Sequence, residues 1–226
     1  AFSWSLPSGR TVLLGPNGEA KSTLLSIAAD ALRPARGWVR LGELTPARRP
    51  DRAAYRRAVG WMPQFVHAVP GLTVQEQVAY AAWLKGIGQR QAWSAAARAI
   101  ERAGLTEIAG QMASTLSGGQ LRRLGLAQVL AHDAAVLLLD EPTAGLDPAQ
   151  RGRFRDLLAA LPRDRAIVVS THQVDDLSEL FDNVVIMDQG HIRFEGTVAS
   201  FLALAPPGVT ERRAEAAYAQ VVSGET

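Results

Sequence analysis

Apolar and polar residues near the start of the chain follow a strand, loop and helix pattern. Val12, Leu13 and Leu14 form an uninterrupted apolar run, which is typical of a buried strand. Farther along, apolar residues recur at the spacing of one helix face, at Leu24, Leu25, Ile27, Ala28 and Leu32. The segment between them, residues 15–23, is therefore expected to be a loop that joins the strand to the helix.

Later apolar runs predict further strands separated by helical patterns. The predicted strands lie near residues 38–41, 59–62, 135–139, 166–170, 184–188 and 192–195, and Pro63 stops the 59–62 strand. Helical patterns occupy residues 149–161 and 174–181. Alternating strands and helices predict an α/β fold with a mainly parallel, helix-covered sheet.

The middle of the chain has an almost wholly helical pattern over residues 73–131. Thr73 can cap a helix that runs to Lys85, a second helix spans 89–103, and a third follows Gly118 and Gly119. We therefore predict a helical subdomain (65–131) inserted into a core domain (1–64 and 132–205), followed by a C-terminal tail (206–226). Residues 210–222 of the tail are expected to form a small helix.

The composition excludes several kinds of chemistry. The 226 residues include no cysteine, which excludes disulfides, thiolate metal sites and cysteine nucleophiles. The net charge of +2 is too small to argue for nucleic acid as a partner. The arginine-rich segment 45–57 is expected to be a solvated helix or loop, because alanines and Asp51 dilute it and no stacking aromatics alternate with its arginines.

The ends of the chain and its longest apolar runs bear on location. No apolar run approaches the length needed to cross a bilayer, so a role at a membrane requires another chain or segment to supply the span. The start lacks the charged and apolar regions of a secretory signal. Because the chain has no initiator Met and its first strand begins almost at once, we expect further sequence to precede it.

The loop at residues 15–23, here called the phosphate loop, has the residues of a phosphate cradle. Its sequence is Gly15, Pro16, Asn17, Gly18, Glu19, Ala20, Lys21, Ser22 and Thr23. Backbone N–H groups of such a loop and the positive end of the following helix point at a bound anion. Lys21 adds a cation for the β- and γ-phosphates, and the Ser22 hydroxyl can hold Mg²⁺. The alternative is a plain glycine-rich turn.

Ala20 departs from this pattern, since glycine is expected just before the lysine. If the position needs a positive φ, its Cβ costs about 1–2 kcal/mol. That energy corresponds to a nucleotide affinity lower by about ten-fold. Our hypothesis is that Ala20 weakens the site without abolishing it.

Polar side chains follow several predicted strands at the point where each strand ends. Gln64, Asp140, Glu141 and His172 occupy such positions, as does the phosphate loop. Ligands of parallel sheets bind at the carboxyl ends of strands, so these residues are expected to form one site. Next to a phosphate loop, Asp140 can hold Mg²⁺ and Glu141 can polarise a water for attack on the γ-phosphate. The alternative for Asp140 and Glu141 is an ordinary polar strand exit.

A second candidate anion site lies at residues 116–120, here called the signature segment. Ser117 is a predicted N-cap, and Gly118 and Gly119 allow a ligand to approach the backbone closely before Gln120. The helix that begins here offers a second set of anion-binding donors. An ordinary glycine-rich helix start is the alternative. Since one chain already has one phosphate loop, a second anion site needs an explanation of its own.

The chain resembles ATP-binding cassette (ABC) ATPases over roughly residues 5–205, because their motifs occur here in the same order. These motifs are the phosphate loop, Gln64, the signature segment, residues 137–141, the run Ala144-Gly145-Leu146-Asp147, and His172. The resemblance implies a P-loop NTPase fold with a RecA-like sheet, an inserted helical subdomain and a small antiparallel β part. It also implies ATP and Mg²⁺ as cofactors and a transmembrane transporter subunit as partner, at the cytoplasmic face of the cell membrane.

The resemblance implies a head-to-tail homodimer or heterodimer, with each ATP between the phosphate loop of one chain and the signature segment of the other. Ser117, Gly118, Gly119 and Gln120 would then grip the γ-phosphate held by the partner, which explains the second anion site. Lys21, Ser22 and Thr23 would hold phosphates and Mg²⁺, and Asp140 would organise the metal.

Four further roles follow from the same resemblance. Glu141 would be the catalytic carboxylate, and His172 would contact the γ-phosphate and position Glu141 and the water. Gln64 would touch Mg²⁺ or the water and report the nucleotide to the membrane subunit, and Asp147 would couple the two sites. The aromatic residue that stacks on adenine is expected upstream of the chain, because Phe2 and Trp4 lie too close to the phosphate loop.

The function expected from the sequence is that of an ATPase subunit of a bacterial exporter. The export assignment is a resemblance at residues 70–76 and 170–176. The alternatives are a non-transport ABC ATPase and a nucleotide-binding module in which Ala20 impairs catalysis. His67, His132 and His191 match no motif and are expected to be surface or structural residues. Trp83 is expected to pack in a core, with a partner surface as the alternative.

Overall fold

A six-stranded sheet forms the centre of the computed structural model, which describes residues 3–16, 20–174, 180–209 and 211–223. The strand order is β2-β3-β4-β1-β5-β6. In chain order the strands are β1 (Arg10–Leu14), β2 (Val59–Met62), β3 (Val136–Asp140), β4 (Ala166–Thr171), β5 (Asn183–Asp188) and β6 (His191–Thr197). All neighbours pair in parallel except β5 and β6, which are antiparallel. The predicted mainly parallel sheet with a small antiparallel part is confirmed.

Helices cover this sheet and form the middle of the chain. They are α1 (Lys21–Ala28), α2 (Arg52–Ala58), α3 (Val74–Leu84), α4 (Gln89–Arg102), α5 (Gly118–Leu130), α6 (Pro148–Ala159), α7 (Val198–Leu202) and α8 (Arg213–Ser223). Short 3₁₀ turns at Thr106–Ile108 and Ala113–Thr115 join α4 to α5. Within the described ranges, every helix is too short or too polar to span a lipid bilayer.

Side chains of the buried strands alternate between two apolar cores, one on each face of the sheet. On β1, Val12 and Leu14 enter the larger core, and Leu13 enters the smaller one with Leu25 of α1 and Tyr55 of α2. The larger core continues without interruption into α3, α4 and α5. The helical segment therefore packs on the sheet through shared apolar contacts.

Small side chains allow α3, α4 and α5 to pack closely. Ala82, Ala96 and Ala99 are fully or almost fully buried between these helices. The predicted cap at Thr73 is confirmed, since the Thr73 hydroxyl accepts from the backbone N–H of Glu76 and the Glu76 carboxylate accepts from that of Thr73.

Lys85 ties the end of α3 to the sheet. Its Nζ donates to the carbonyl oxygens of Arg56 at 2.7 Å and Val59 at 2.9 Å, at the junction of α2 and β2. Burial and the nearby charge of Arg56 lower the pKa of the Lys85 ammonium to about 8. A partly desolvated cation thus lies at the junction between the helical segment and the sheet domain.

Several local expectations were wrong. The strand expected near residues 38–41 is absent, because this exposed segment has no neighbouring strand and pairs only as a single bridge between Leu41 and Leu44. Helix α1 ends at Ala28, which leaves Leu32 about half exposed. Trp83 is 53% exposed and stacks on Tyr80 instead of packing in the core.

Two helix predictions have different outcomes. Helix α8 confirms the helix expected in the tail. Most of the helix expected at 174–181 lies outside the described residues.

Candidate functional site

The strand order brings the predicted site residues to one edge of the sheet. Strands β2, β3, β4 and β1 are consecutive neighbours and run in parallel, so the loops after them leave the same edge. The loop after β1 leads to Lys21, β3 ends at Asp140, and His172 follows β4. We call this side of the sheet the carboxyl edge.

Lys21 begins α1 and is held at the mouth of the phosphate loop. Its Nζ donates to the carbonyl oxygens of Gly15 at 2.6 Å and Pro16 at 2.9 Å, and the side chain is only 5% exposed. The same nitrogen lies 4.0 Å from a carboxylate oxygen of Glu141. The ammonium is therefore placed between the phosphate loop and the catalytic candidate.

Ala20 has a φ of 59° and a ψ of 10°, in the left-handed region that disfavours a Cβ. The condition on which the cost of a Cβ at this position depends, a positive φ, is met. Ala20 is the N-cap residue of α1 and provides no side-chain hydrogen bond, but its carbonyl accepts from the N–H of Leu24. The candidates Asn17, Gly18 and Glu19 lie outside the described residues.

Glu141 is buried and directly contacted by His172. The His172 Nδ1 lies 3.0 Å and 3.1 Å from the two carboxylate oxygens of Glu141. Glu141 itself has a φ of 45°, another left-handed conformation, which bends the chain sharply as it leaves β3. The geometry thus brings Lys21, Glu141 and His172 together, as the sequence predicts.

Ser170 fixes both carboxylate residues and was missed by sequence reasoning. Its hydroxyl donates to Asp140 Oδ1 at 2.6 Å and accepts from the backbone N–H of Glu141 at 3.0 Å. The cause is strand register, since Asp140 of β3 lies opposite Ser170 of β4. A hydroxyl at the end of the predicted strand before His172 was the available signal.

Arg122 on α5 is the second residue that sequence reasoning missed. Its guanidinium donates to the carbonyl of Gln64 through Nη1 and to the carbonyl of Ala144 at 3.3 Å through Nη2. Burial lowers the pKa of Arg122, and the negative charges of Glu141 and Asp140 act in the opposite direction. The loop of Gln64 is thereby connected to the carboxyl edge.

The signature segment forms a well-capped helix start next to Asp147. The Ser117 hydroxyl accepts from the N–H of Gln120, and the Gln120 side chain accepts from the N–H of Ser117, which confirms the predicted cap. Gly119 lies so close to Gln150 that an added Cβ would be 1.9 Å from its Oε1. The Asp147 carboxylate accepts from the N–H of Gln150 and caps α6.

Within one chain the signature segment makes no direct polar contact with the catalytic candidates. Among the described residues, no hydrogen bond or ion pair joins Ser117 or Gln120 to Glu141 or His172. The N–H groups at the start of α5 can therefore bind an anion that is not held by Lys21 of the same chain.

The oxygen donors at the carboxyl edge fit Mg²⁺. Asp140 offers a buried carboxylate whose Oδ1 is already oriented by Ser170, and Ser22 on α1 offers an exposed hydroxyl. No group of three or more His, Cys, Asp or Glu side chains within the described ranges could hold a metal ion. A Mg²⁺ at Ser22 and Asp140 would therefore take its other ligands from phosphate and water, as this ion prefers.

Comparisons with known proteins agree with these motifs. The family model described as ABC transporter matches residues 1–144. The chain is 36% identical to an uncharacterised ABC transporter ATP-binding protein, YxlF of Bacillus subtilis, over 81% of its length and 60% of that protein. It is 38% identical to the energy-coupling factor transporter ATP-binding protein EcfA2 of Latilactobacillus sakei, over 85% of its length and 69% of that protein.

A solved structure supports the same comparison. The chain superposes on cbiO1 of Clostridium perfringens, described as part of the ABC transporter complex cbiONQ, with a TM-score of 0.73 at 27% identity. The match covers 86% of this chain and 79% of that structure. The chain thus spans about three fifths to two thirds of the length of the two curated relatives and most of the length of the cbiO1 structure.

Proposed function

Because the chain belongs to the ABC transporter family of ATP-binding domains, we propose that it hydrolyses ATP to drive transport through a separate membrane subunit. The observation that supports this most is the contact set of Glu141. Its buried carboxylate lies 3.0 Å from His172 Nδ1 and 4.0 Å from Lys21 Nζ. A carboxylate next to a phosphate-binding lysine is suited to activate water for attack on the γ-phosphate.

In the proposed reaction, the Lys21 ammonium exchanges the carbonyls of Gly15 and Pro16 for the β- and γ-phosphates. Glu141 accepts a proton from water while the water oxygen bonds to the γ-phosphorus and the bond to the β–γ bridging oxygen breaks. ADP carries away the electron pair of that bond, and inorganic phosphate is the second product. A Mg²⁺ held by Ser22 and Asp140 would stabilise the negative charge of the phosphate oxygens.

The surrounding residues keep Glu141 in position for this step. His172 contacts both of its carboxylate oxygens and is the proposed contact for the γ-phosphate. Ser170 fixes its backbone N–H and the neighbouring Asp140. We assign Gln64 to the water or Mg²⁺ at the end of β2.

We propose that two copies, or this chain and a related one, bind ATP jointly in a head-to-tail dimer. Among the described residues, Ser117 and Gln120 make no hydrogen bond or ion pair with Glu141. This supports the dimer, because the donors of Ser117, Gly118 and Gly119 could then serve the partner's nucleotide. Asp147, which caps α6 beside Gly119, would couple the two sites.

The contact with the membrane subunit is proposed for the exposed aromatic face of α3. Tyr80 and Trp83 stack with ring centroids 5.9 Å apart, and Leu84 extends this face. Three large apolar side chains on one exposed helix face are suited to a protein partner. We accordingly propose a location at the cytoplasmic face of the membrane, and we retain export as the direction on the resemblance at residues 70–76 and 170–176.

The test compares the unmodified chain with Glu141→Gln. The unmodified chain is expected to release phosphate from ATP, and Glu141→Gln is expected to lose at least about a hundred-fold in turnover while still binding ATP. With ATP, Glu141→Gln is expected to double its mass in light scattering. Adding Ser117→Ala should weaken this dimer, whereas the matched cap variant Thr73→Ala should not.

A second candidate function, a nucleotide-binding module without turnover, is favoured by one observation, the positive φ of Ala20. An unmodified chain that binds ATP but is as inactive as Glu141→Gln, with and without the membrane subunit, would establish the module instead. A chain that turns over ATP but never dimerises would contradict the shared-site arrangement.

A further inference from the structure

Arg122 contacts two of the loops that meet near the carboxyl edge of the sheet. It lies one turn into α5, two residues beyond the signature segment. One arm of its guanidinium holds the carbonyl of Gln64, and the other holds the carbonyl of Ala144, between Glu141 and Asp147. A single side chain thus joins the helix of the second site to both loops.

An open pocket of about 220 Å³ lies beside the two loops. It is lined by residues of both loops, among them Val66, His67, Ala144 and Leu146, and by Leu121 and Arg122 of α5. Side chains that line a pocket lack close contacts on that side. The hydrogen bonds of Arg122 connect the two loops at the side where the pocket leaves them without such contacts.

The charge of Arg122 matters as well as its shape. The negative charges of Glu141 and Asp140 attract the guanidinium and favour its charged form. Its planar fork presents two donors to two carbonyls at once, which the single ammonium of lysine cannot reproduce in the same geometry.

We propose that Arg122 is a positioning residue for the ATPase reaction, which holds the loops of Gln64 and Ala144 at a fixed separation beside Glu141. The inference rests on the proposed function, because it concerns the same reaction. Since α5 begins at the signature segment, any displacement of this helix by the partner's nucleotide moves Arg122 and both loops together. Occupancy of the second site would thereby change the geometry of the first.

Arg123 provides a matched control on the same helix. Its Nη1 donates to the carbonyl of Gly104 at 2.7 Å, just beyond α4, and in the described part of the chain it donates no hydrogen bond to Gln64 or Ala144. Arg122→Gln and Arg123→Gln remove the same charge and the same fork from neighbouring positions. Arg122→Lys keeps the charge but replaces the rigid planar fork with a single compact ammonium on a flexible stem.

The first experiment measures steady-state ATP hydrolysis for the unmodified chain and the three variants. We expect Arg122→Gln to lower kcat by about ten-fold or more with KM for ATP changed less than about two-fold, because the phosphate loop is untouched. Arg122→Lys should recover part of the lost kcat, and Arg123→Gln should change neither constant by more than about two-fold. The proposal would be overturned if kcat of Arg122→Gln stays within two-fold of the unmodified chain, or if its KM for ATP rises by the same factor as kcat falls. It would also be overturned if Arg123→Gln lowers kcat as much as Arg122→Gln does.

The second experiment measures the loop separation itself. The chain has no cysteine, so spin labels at His67→Cys and Ala144→Cys report one distance. The distribution is expected to be narrow with Arg122 present, to broaden in Arg122→Gln and to stay narrow in Arg123→Gln. Unchanged width in Arg122→Gln contradicts the inference. Because this distance needs no turnover, an inactive chain would refute the proposed function and leave the role of Arg122 testable.

Discussion

Replacing Ala20 with glycine tests whether the backbone of the phosphate loop limits nucleotide affinity. Ala20 has a φ of 59° in the left-handed region, where a Cβ is disfavoured and glycine is not. The methyl group is exposed, so the substitution removes little packing. The variant Ala20→Gly therefore changes the conformational preference of one residue and leaves Lys21 and Ser22 in place.

The expected gain follows from the cost of that conformation. A left-handed alanine costs about 1–2 kcal/mol, which reduces the fraction of molecules whose loop is ready to bind. We therefore expect Ala20→Gly to bind ATP about ten-fold more tightly.

The global stability is expected to change little in the same variant. Relief of the left-handed strain stabilises the folded chain, while the greater freedom of glycine when unfolded costs about 0.5–1 kcal/mol. The two effects oppose each other, so the free energy of unfolding should move by less than about 1 kcal/mol. Ala20→Gly is thus expected to raise the affinity for ATP while leaving the free energy of unfolding nearly unchanged.

Calorimetric titration with ATP and Mg²⁺ on a Glu141→Gln background, which prevents turnover, measures the affinity. Ala29→Gly is the control, because Ala29 is the C-cap residue of the same helix and has a φ of −84°, where glycine relieves no strain. It should leave the affinity unchanged. If Ala20→Gly binds ATP no more tightly than the parent, or if Ala29→Gly improves binding equally, the reasoning about Ala20 is wrong.

Three further predictions concern other parts of the molecule. His132 is buried, and burial together with the charge of Lys85 lowers its pKa to about 4. The unfolded chain therefore binds more protons than the folded chain between about pH 4 and 6.5. The free energy of unfolding should accordingly fall by up to about 3 kcal/mol as the pH drops through that window. Urea unfolding at pH 7 and 4.5 should show this loss for the unmodified chain and the exposed control His191→Leu, but not for His132→Leu. Ser170→Ala removes two buried hydrogen bonds, so it should cost about 1–3 kcal/mol of unfolding free energy and lower kcat more than it raises KM; unchanged turnover would show that Asp140 and Glu141 need no such support. Trp83→Ala should leave the ATPase of the isolated chain unchanged and reduce its capture by the membrane subunit, and equal capture in a pull-down would remove α3 as the contact surface.

The site residues that the sequence predicts share one property, namely position at a strand end. Lys21, Asp140, Glu141 and His172 each follow an apolar run that folds as a buried strand, and parallel pairing then brings them to one edge. Local pattern and the rule for parallel sheets are sufficient for this inference. The roles assigned to Gln64, Asp147 and the signature segment depend in addition on family resemblance, and they stay predictions.

The residues that were missed depend on distant parts of the chain. Ser170 acquires its role from the register between β3 and β4, and Arg122 reaches a carbonyl 58 positions earlier in the chain. The hydroxyl at the end of the predicted strand before His172 was a local signal for Ser170, but neither the strand register nor the long-range contact of Arg122 can be derived from the local sequence. The wrong strand near 38–41 has the same cause, because a strand needs a neighbour and none lies beside this exposed segment.

The chain has two lysines among its 24 basic residues, and both occupy positions that the proposed cycle would change. Lys21 has its amine in the phosphate loop, and Lys85 has its amine at the joint between α3 and the sheet. Amine-selective acylation followed by peptide mass spectrometry would consequently report on these two places with hardly any background from other side chains. Protection of Lys21 would measure nucleotide occupancy, and the modification rate of Lys85 would measure opening of the joint, both in a single untagged sample.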